Sequence, residues 1–103
     1  MDERRRSPRI KAKVPAEIVV DGTDTPIRGT TSDLSLNGCY IETIFPFPVG
    51  TKLEIKLQLD GILLILAVVA TFDPQVGNGI RFTRMLDEDI EELGAFIDCA
   101  IEK

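Results

Sequence analysis

Two short runs carry the residue types with the most chemistry. Arg5-Arg6-Ser7-Pro8-Arg9 is R-x-x-x-R with Arg4 directly ahead of it, and Asp33-Leu34-Ser35-Leu36-Asn37-Gly38 is D-x-S-x-x-G. Guanidinium groups hold phosphate through paired hydrogen bonds and stack on flat aromatic bases, so two or three on one arm can clasp a nucleotide. The same run reads equally as a solvated basic tail drawn to any polyanion. In the second run, an Asp carboxylate can accept two hydrogen bonds from the edge of a guanine, and a Ser hydroxyl can donate to a phosphate or carbonyl oxygen. Gly allows a positive φ that would let the chain turn closely against a ligand. Taken alone, D-x-S-x-x-G is also an ordinary Asx-type turn.

Charge distribution sharpens the first run. The 103 residues carry a formal net charge of -5, yet six of the 12 Lys and Arg residues (Arg4, Arg5, Arg6, Arg9, Lys11 and Lys13) fall before Val14. An anion is expected against them. A basic arm in a nucleic-acid groove is disfavoured, because the whole chain is acidic, with a sequence pI near 4.6 and only one Tyr and five Phe for stacking on bases.

Histidine is absent. That removes the commonest general base, the commonest metal ligand and the usual partner of a Ser or Cys nucleophile, so no enzyme and no metal or cofactor is expected. The carboxylates Asp87, Glu88, Asp89, Glu91 and Glu92 read as the solvated face of a helix. Cys39 and Cys99 lie far apart without ligand spacing and are expected to be small buried thiols.

The elements that must position these residues are mostly strands. Lys52 to Leu59 (KLEIKLQL) alternates apolar and polar with a period of two, the signature of a half-buried strand. Val14 to Asp21 ends at Asp21-Gly22, a turn signal, and Ile27 to Asp33 is expected to pair back on it. Cys39 to Thr43 has strand composition, whereas Phe45-Pro46-Phe47-Pro48-Val49-Gly50 has two prolines and is expected to be a loop with buried aromatics. Ile62 to Phe72 is apolar at nearly every position, as for a strand covered on both faces or one inside a barrel. Asp73-Pro74 and Gly77-Asn78-Gly79 are expected to end it and lead into Ile80 to Arg84.

From Asp87 the period changes: Ile90, Leu93, Ile97, Ala100 and Ile101 recur at three and four, predicting one C-terminal helix packed on the sheet. Asp87 is the expected N-cap. Short strands, turn signals and one final helix predict a mainly β fold, a small antiparallel β-barrel with a C-terminal α-helix, in one domain. The longest apolar run, Gly61 to Ala70, is about half of the roughly 20 residues a spanning helix needs. No apolar core follows the basic N-terminus, so export is not indicated and a cytoplasmic location is expected.

R-x-x-x-R near the N-terminus, followed after one hairpin by D-x-S-x-x-G, resembles the PilZ domain family, bacterial receptors for cyclic di-GMP. Gly79-Ile80-Arg81-Phe82 looks like the G-[IV]-x-F segment of a late barrel strand in that family, and the terminal helix fits as well. The resemblance implies a six-stranded barrel over residues 13–103, its helix starting at about 87, preceded by a flexible basic arm over residues 1–12. It also implies that Arg5 and Arg9 contact ligand phosphates and stack on guanines, that Asp33, Ser35 and Gly38 read the guanine edge and adjoining backbone, and that Arg4, an extra arginine just ahead of the motif, would supply another guanidinium if two ligand molecules stack. Arg6, Asn37 and Arg81 are further candidates beside them.

By the same resemblance the ligand is cyclic di-GMP, and the chain is a second-messenger adaptor acting on motility, exopolysaccharide production or surface attachment (biofilm). It would be a monomer or a ligand-dependent dimer with a downstream protein partner, without nucleic acid or membrane insertion. A protein-interaction module that keeps the fold but ignores nucleotide, working through the Phe45 and Phe47 loop or the terminal helix, is the competing reading.

Overall fold

A computed structural model of the chain describes residues 8–101. Seven strands precede one helix: β1 (Ile10–Lys11), β2 (Pro15–Val20), β3 (Ile27–Leu34), β4 (Gly38–Glu42), β5 (Lys52–Gln58), β6 (Ile62–Asp73), β7 (Gly77–Met85) and α1 (Asp87–Ile101). Antiparallel pairing runs β3-β2-β5-β6-β7-β4, and β4 returns to β3. The result is a closed six-stranded barrel with β1 as an added rung, and closure satisfies the strand edges that an open sheet would leave bare.

Period-two alternation fills the interior. Leu53, Ile55 and Leu57 on β5 meet Ala67, Ile65 and Leu63 on β6 at successive inward rungs, and all six are buried. Burying a Leu or Ile side chain fully is worth about 1.5–3 kcal/mol before entropy is counted. The outward face of β6 decides between the two readings of its sequence in favour of a barrel strand: Ile62, Leu64 and Leu66 are 62%, 42% and 44% exposed. A barrel this small covers each strand on its inner face alone, so the unbroken apolar sequence of β6 does not translate into burial on both sides.

The helix closes one end. Leu93 and Ile97 enter the core and Phe96 packs against it, whereas Ile90, Ala100 and Ile101, expected on the buried stripe, are exposed. The contact with the barrel is narrower than the sequence stripe. Cys99 is also exposed and only Cys39 is the buried thiol. At the helix start, the Leu86 carbonyl accepts from the Asp89 and Ile90 amides at 3.0 and 2.9 Å; Asp87 is therefore the first helical residue rather than the cap. Two helix acids bond to the barrel: Glu92 Oε2 accepts from the Gly61 amide at 2.9 Å and Asp89 Oδ2 from the Leu64 amide at 3.4 Å.

The opposite end is plugged by the loop between β4 and β5. Phe47 packs on the core, and buried Asn78 brackets its backbone, accepting from the Phe47 amide at 2.8 Å and donating to the Phe47 carbonyl at 2.9 Å. Asn78 also donates to the Thr71 carbonyl at 3.0 Å. This use of the Asn78 amide explains why Gly77-Asn78-Gly79 belongs to β7 rather than to a turn. Phe45, by contrast, is 79% exposed, so only one of the two loop aromatics packs on the core, and that one is partly buried. Among the described residues no helix is long and apolar enough to cross a membrane.

Candidate functional site

The site begins with a bulge in β3. Thr31 faces Ile41 and Thr30 faces Glu42, but the next pairs are Asp33 with Tyr40 and Leu34 with Cys39, leaving Ser32 as the extra residue. Thr31 is fully buried, so strict alternation would turn Asp33 inward and Leu34 outward. The extra residue inverts the phase, burying Leu34 completely and bringing the Asp33 carboxylate to the outer face. Re-aiming one side chain is a recurrent use of β-bulges.

Thr31 itself ties the approaching chain down. Its hydroxyl accepts from the Val14 amide at 3.0 Å and donates to the Ala12 carbonyl at 2.6 Å, while its own amide donates to the Val14 carbonyl at 3.0 Å. With Ala12 and Val14 fixed, β1 lies on the far half of β3, Ile10 opposite Leu34 and Lys11 opposite Asp33. Ile10 and Ala12 pack on the core edge. Residues 10–12, assigned to the arm from sequence, are therefore attached to the barrel.

Arg9 follows directly. Its Nη1 donates to Asp33 Oδ1 at 2.5 Å, with side chains 53% and 25% exposed. The last arginine of R-x-x-x-R and the first residue of D-x-S-x-x-G, 24 positions apart in sequence, thus share one spot. An ion pair this exposed is worth at most about 1 kcal/mol, so a ligand with stronger contacts can replace it. Arg4, Arg5 and Arg6 lie outside the described residues.

Ser35 and Gly38 shape the turn. The buried Ser35 hydroxyl accepts from the Asn37 and Gly38 amides at 3.1 and 3.2 Å, and the Ser35 amide donates to the Gly38 carbonyl at 2.8 Å. Outside the turn, the Asn37 carbonyl accepts from the Phe82 amide at 2.8 Å. Positive φ among the described residues is confined to Gln75, Gly22 and Gly50, so Gly38 is not needed for that reason. It is needed for space: a Cβ there would lie 2.1 Å from the Ile80 carbonyl oxygen. Glycine at this position lets β4 close on β7, where Gly38 stands opposite Arg81.

Around these residues the outer face is charged and open. Arg81 is exposed and stands between the site and a groove of about 720 Å³ that runs over β2, β5, β6 and β7, with Lys52, Glu54, Val19 and Leu66 in its walls. Tyr40, opposite Asp33, donates its hydroxyl to Asp73 Oδ2 at 2.6 Å. That hydrogen bond, some burial and the charges of Asp73, Glu42 and Asp33 push the Tyr40 pKa up to about 12. Beneath the face, burial and then Asp33 push the Cys39 thiol up to about 12, with Arg9 opposing. Both groups are protonated, and neither is a nucleophile at neutral pH. Thr31 and Tyr40 were missed as site residues. The only sequence signals were a polar residue in a strand core and an aromatic two places after the motif glycine.

The architecture is a small closed barrel with an arginine–carboxylate pair on its outer face and a serine-framed turn beside it. A family model for the PilZ domain matches residues 3–99, and the chain belongs to that family. The structure is similar to the Bacillus subtilis inhibitor of motility (MotI/DgrA), with a TM-score of 0.82 at 19% identity over 99% of this chain. This chain spans about half, 54%, of that one. It is also similar to the PilZ domain with c-di-GMP of YcgR from Escherichia coli, with a TM-score of 0.72 and 19% identity over 97% of this chain and 93% of that one. The PilZ domain of CeSA from a cellulose-synthesizing bacterium gives a TM-score of 0.69 at 23% identity, covering 93% and 97% of the two chains. No curated protein matches the chain.

Proposed function

We propose that this PilZ domain is a receptor for cyclic di-GMP, taken up on the outer face of β3, β4 and β7, and that it acts as a cytoplasmic adaptor rather than an enzyme. The observation that carries the reading is the meeting of Arg9 with Asp33 at 2.5 Å, which brings one residue of each sequence motif to one place. Arg9 and Arg5 hold phosphate and stack on guanine, Arg4 and Arg6 add guanidinium groups where two ligand molecules stack, and Arg81 closes the opposite border. Asp33 accepts from a guanine edge. Ser35 and Gly38 act through the turn they build, and Asn37 offers its exposed side of that turn. The solved YcgR domain in complex with c-di-GMP supports the choice of ligand, and the motility inhibitor supports motility as one output.

Ligand binding exchanges the Arg9–Asp33 pair for contacts with phosphate and base, and so changes how β1 and the residues before it lie on β3. A changed surface is the signal, since a ligand shifts a protein only as far as its contacts differ between two states. The test is calorimetric titration of the chain with cyclic di-GMP, GTP and cyclic GMP, with Arg9→Ala as control. Saturable binding of cyclic di-GMP alone, weakened tenfold or more in the variant, is expected. Absence of heat from a folded protein at high ligand concentration would sink the reading.

The competing reading, a nucleotide-independent interaction module, has its own observation. Ile44, Phe45 and Val76 are 66%, 79% and 57% exposed, and the Thr43 amide donates to the Val76 carbonyl at 3.0 Å, so all three cluster at the loop-plugged end. In the receptor reading the same cluster is the contact surface for the downstream partner.

A further inference from the structure

Tyr40 is placed where a base-stacking residue belongs. On β4 it stands directly opposite Asp33 of β3 and opposite Gly79 of β7. Cross-strand partners of this kind have Cβ atoms about 4.5–5.5 Å apart. Its ring leans over the next glycine: a Cβ built on Gly77 would lie 2.9 Å from Tyr40 Cε2. The hydroxyl, bonded to Asp73 at 2.6 Å, pins the far end of the ring, because Asp73 is paired with Gly77. Gly38, on the same face of β4 two residues earlier, stands opposite Arg81 and adds no side chain of its own. A flat ring is thus laid against a glycine strip, with Asp33 and its Arg9 partner on the neighbouring strand β3 and Arg81 two residues along β7 from Gly79.

Such a ring is fixed at both ends and keeps an accessible outer side, since Tyr40 is only half-buried. Aromatic faces stack on purines with about 1–3 kcal/mol per base. We propose that Tyr40 is the aromatic platform of the site, stacking on one guanine while Asp33 accepts from that guanine's edge, and that the bond to Asp73 holds the ring in position. The proposal rests on the receptor reading above, and it adds a ligand contact that lies outside both short motifs.

Composition supplies a clean probe, because Tyr40 is the single tyrosine and the chain has no tryptophan. In protein labelled at tyrosine alone, one ring spin system is followed by NMR while cyclic di-GMP is titrated, with calorimetry on Tyr40→Phe and Tyr40→Leu. Stacking shifts the ring protons upfield at saturation; the Phe variant, which keeps the ring but loses its tether to Asp73, binds about threefold more weakly than the natural chain, and the Leu variant loses about tenfold to a hundredfold, 1.4 kcal/mol being a factor of ten. Saturable binding with unmoved ring resonances overturns the proposal and leaves the receptor reading intact, whatever the folding of the variants. Binding by the Leu variant within twofold of the natural chain does the same. Failure of the natural chain to bind cyclic di-GMP is a separate result and removes the receptor reading together with the platform.

Discussion

The two hairpins β5–β6 and β3–β4 are built from similar lengths of chain by opposite means. Between β5 and β6, seven consecutive pairs run from Lys52–Val68 to Gln58–Ile62 without a break, and every inward position is apolar and buried. Between β3 and β4 the register slips at Ser32, Thr31 and Ser35 are buried polar residues, and Gly38 allows an approach that no other side chain permits. The regular hairpin contributes stability through area removed from water. The irregular one gives part of that up to aim Asp33 outward and to bring Arg9 onto it.

That contrast breaks down if stability and binding do not separate between the two hairpins. The largest effect is expected from Leu57→Ala, which empties a fully buried site in the regular hairpin. A loss of about 2–5 kcal/mol in urea unfolding is expected, with cyclic di-GMP affinity unchanged for the folded fraction. Affinity falling in step with stability would contradict the division.

Next in size is Gly38→Ala, where the new methyl meets backbone and not a movable side chain. Overpacking of this kind costs about 1–3 kcal/mol, or several degrees in melting temperature at about 4–8 °C per kcal/mol for a domain of this size. Here binding should weaken as well, because the turn that carries Ser35 must shift. A variant of natural stability would show that the close approach of β4 to β7 is not needed.

Thr31→Val keeps the volume and removes the hydroxyl that joins the Val14 amide to the Ala12 carbonyl. A buried amide left without a partner costs about 1–3 kcal/mol. Hydrogen exchange should quicken at Ala12 and Val14 while β5 and β6 stay protected, and ligand affinity should drop because Arg9 loses its anchor. Uniform exchange across the barrel would make Thr31 a general core residue.

The smallest effect concerns Tyr40. Its pKa is raised from 10.0 to about 12, the hydrogen bond to Asp73 being the largest cause. A raised folded-state value means that the proton is held more tightly in the native state, so this contribution is fully present below pH 10 and is lost as pH rises through 12. Ultraviolet titration should give one tyrosine transition near 12 in the folded chain, near 10 in denaturant, and at an intermediate value in Asp73→Asn. An unchanged midpoint in that variant would mean that the bond to Asp73 is not what raises the Tyr40 value.

Much of the fold was legible because two simple signals dominate it. The alternation in Lys52 to Gln58 and the three-four spacing around Leu93 and Ile97 each report one face against one core. Where both signals failed, the cause was a neighbour that the sequence does not announce. The outer side of β6 reads as apolar but has no layer over it, and Ile90 and Ile101 extend past the barrel rim that covers Leu93 and Ile97. The residue types of the candidate site, Arg9, Asp33, Ser35, Gly38 and Arg81, could be picked out in the sequence, but their arrangement could not.

The amino-acid sequence by itself determined the class of fold, the order of most elements and the chemistry available to an anionic, purine-bearing ligand, because these depend on local periodicity and on side-chain type. Tertiary structure alone decided which way those side chains point. A single extra residue in β3 inverts the facing of Asp33 and Leu34, and Thr31 holds the chain that brings Arg9 to it. Tyr40 gains its place from a glycine strip on another strand. Each of these depends on register between segments distant in sequence, and register is set by packing the whole barrel at once.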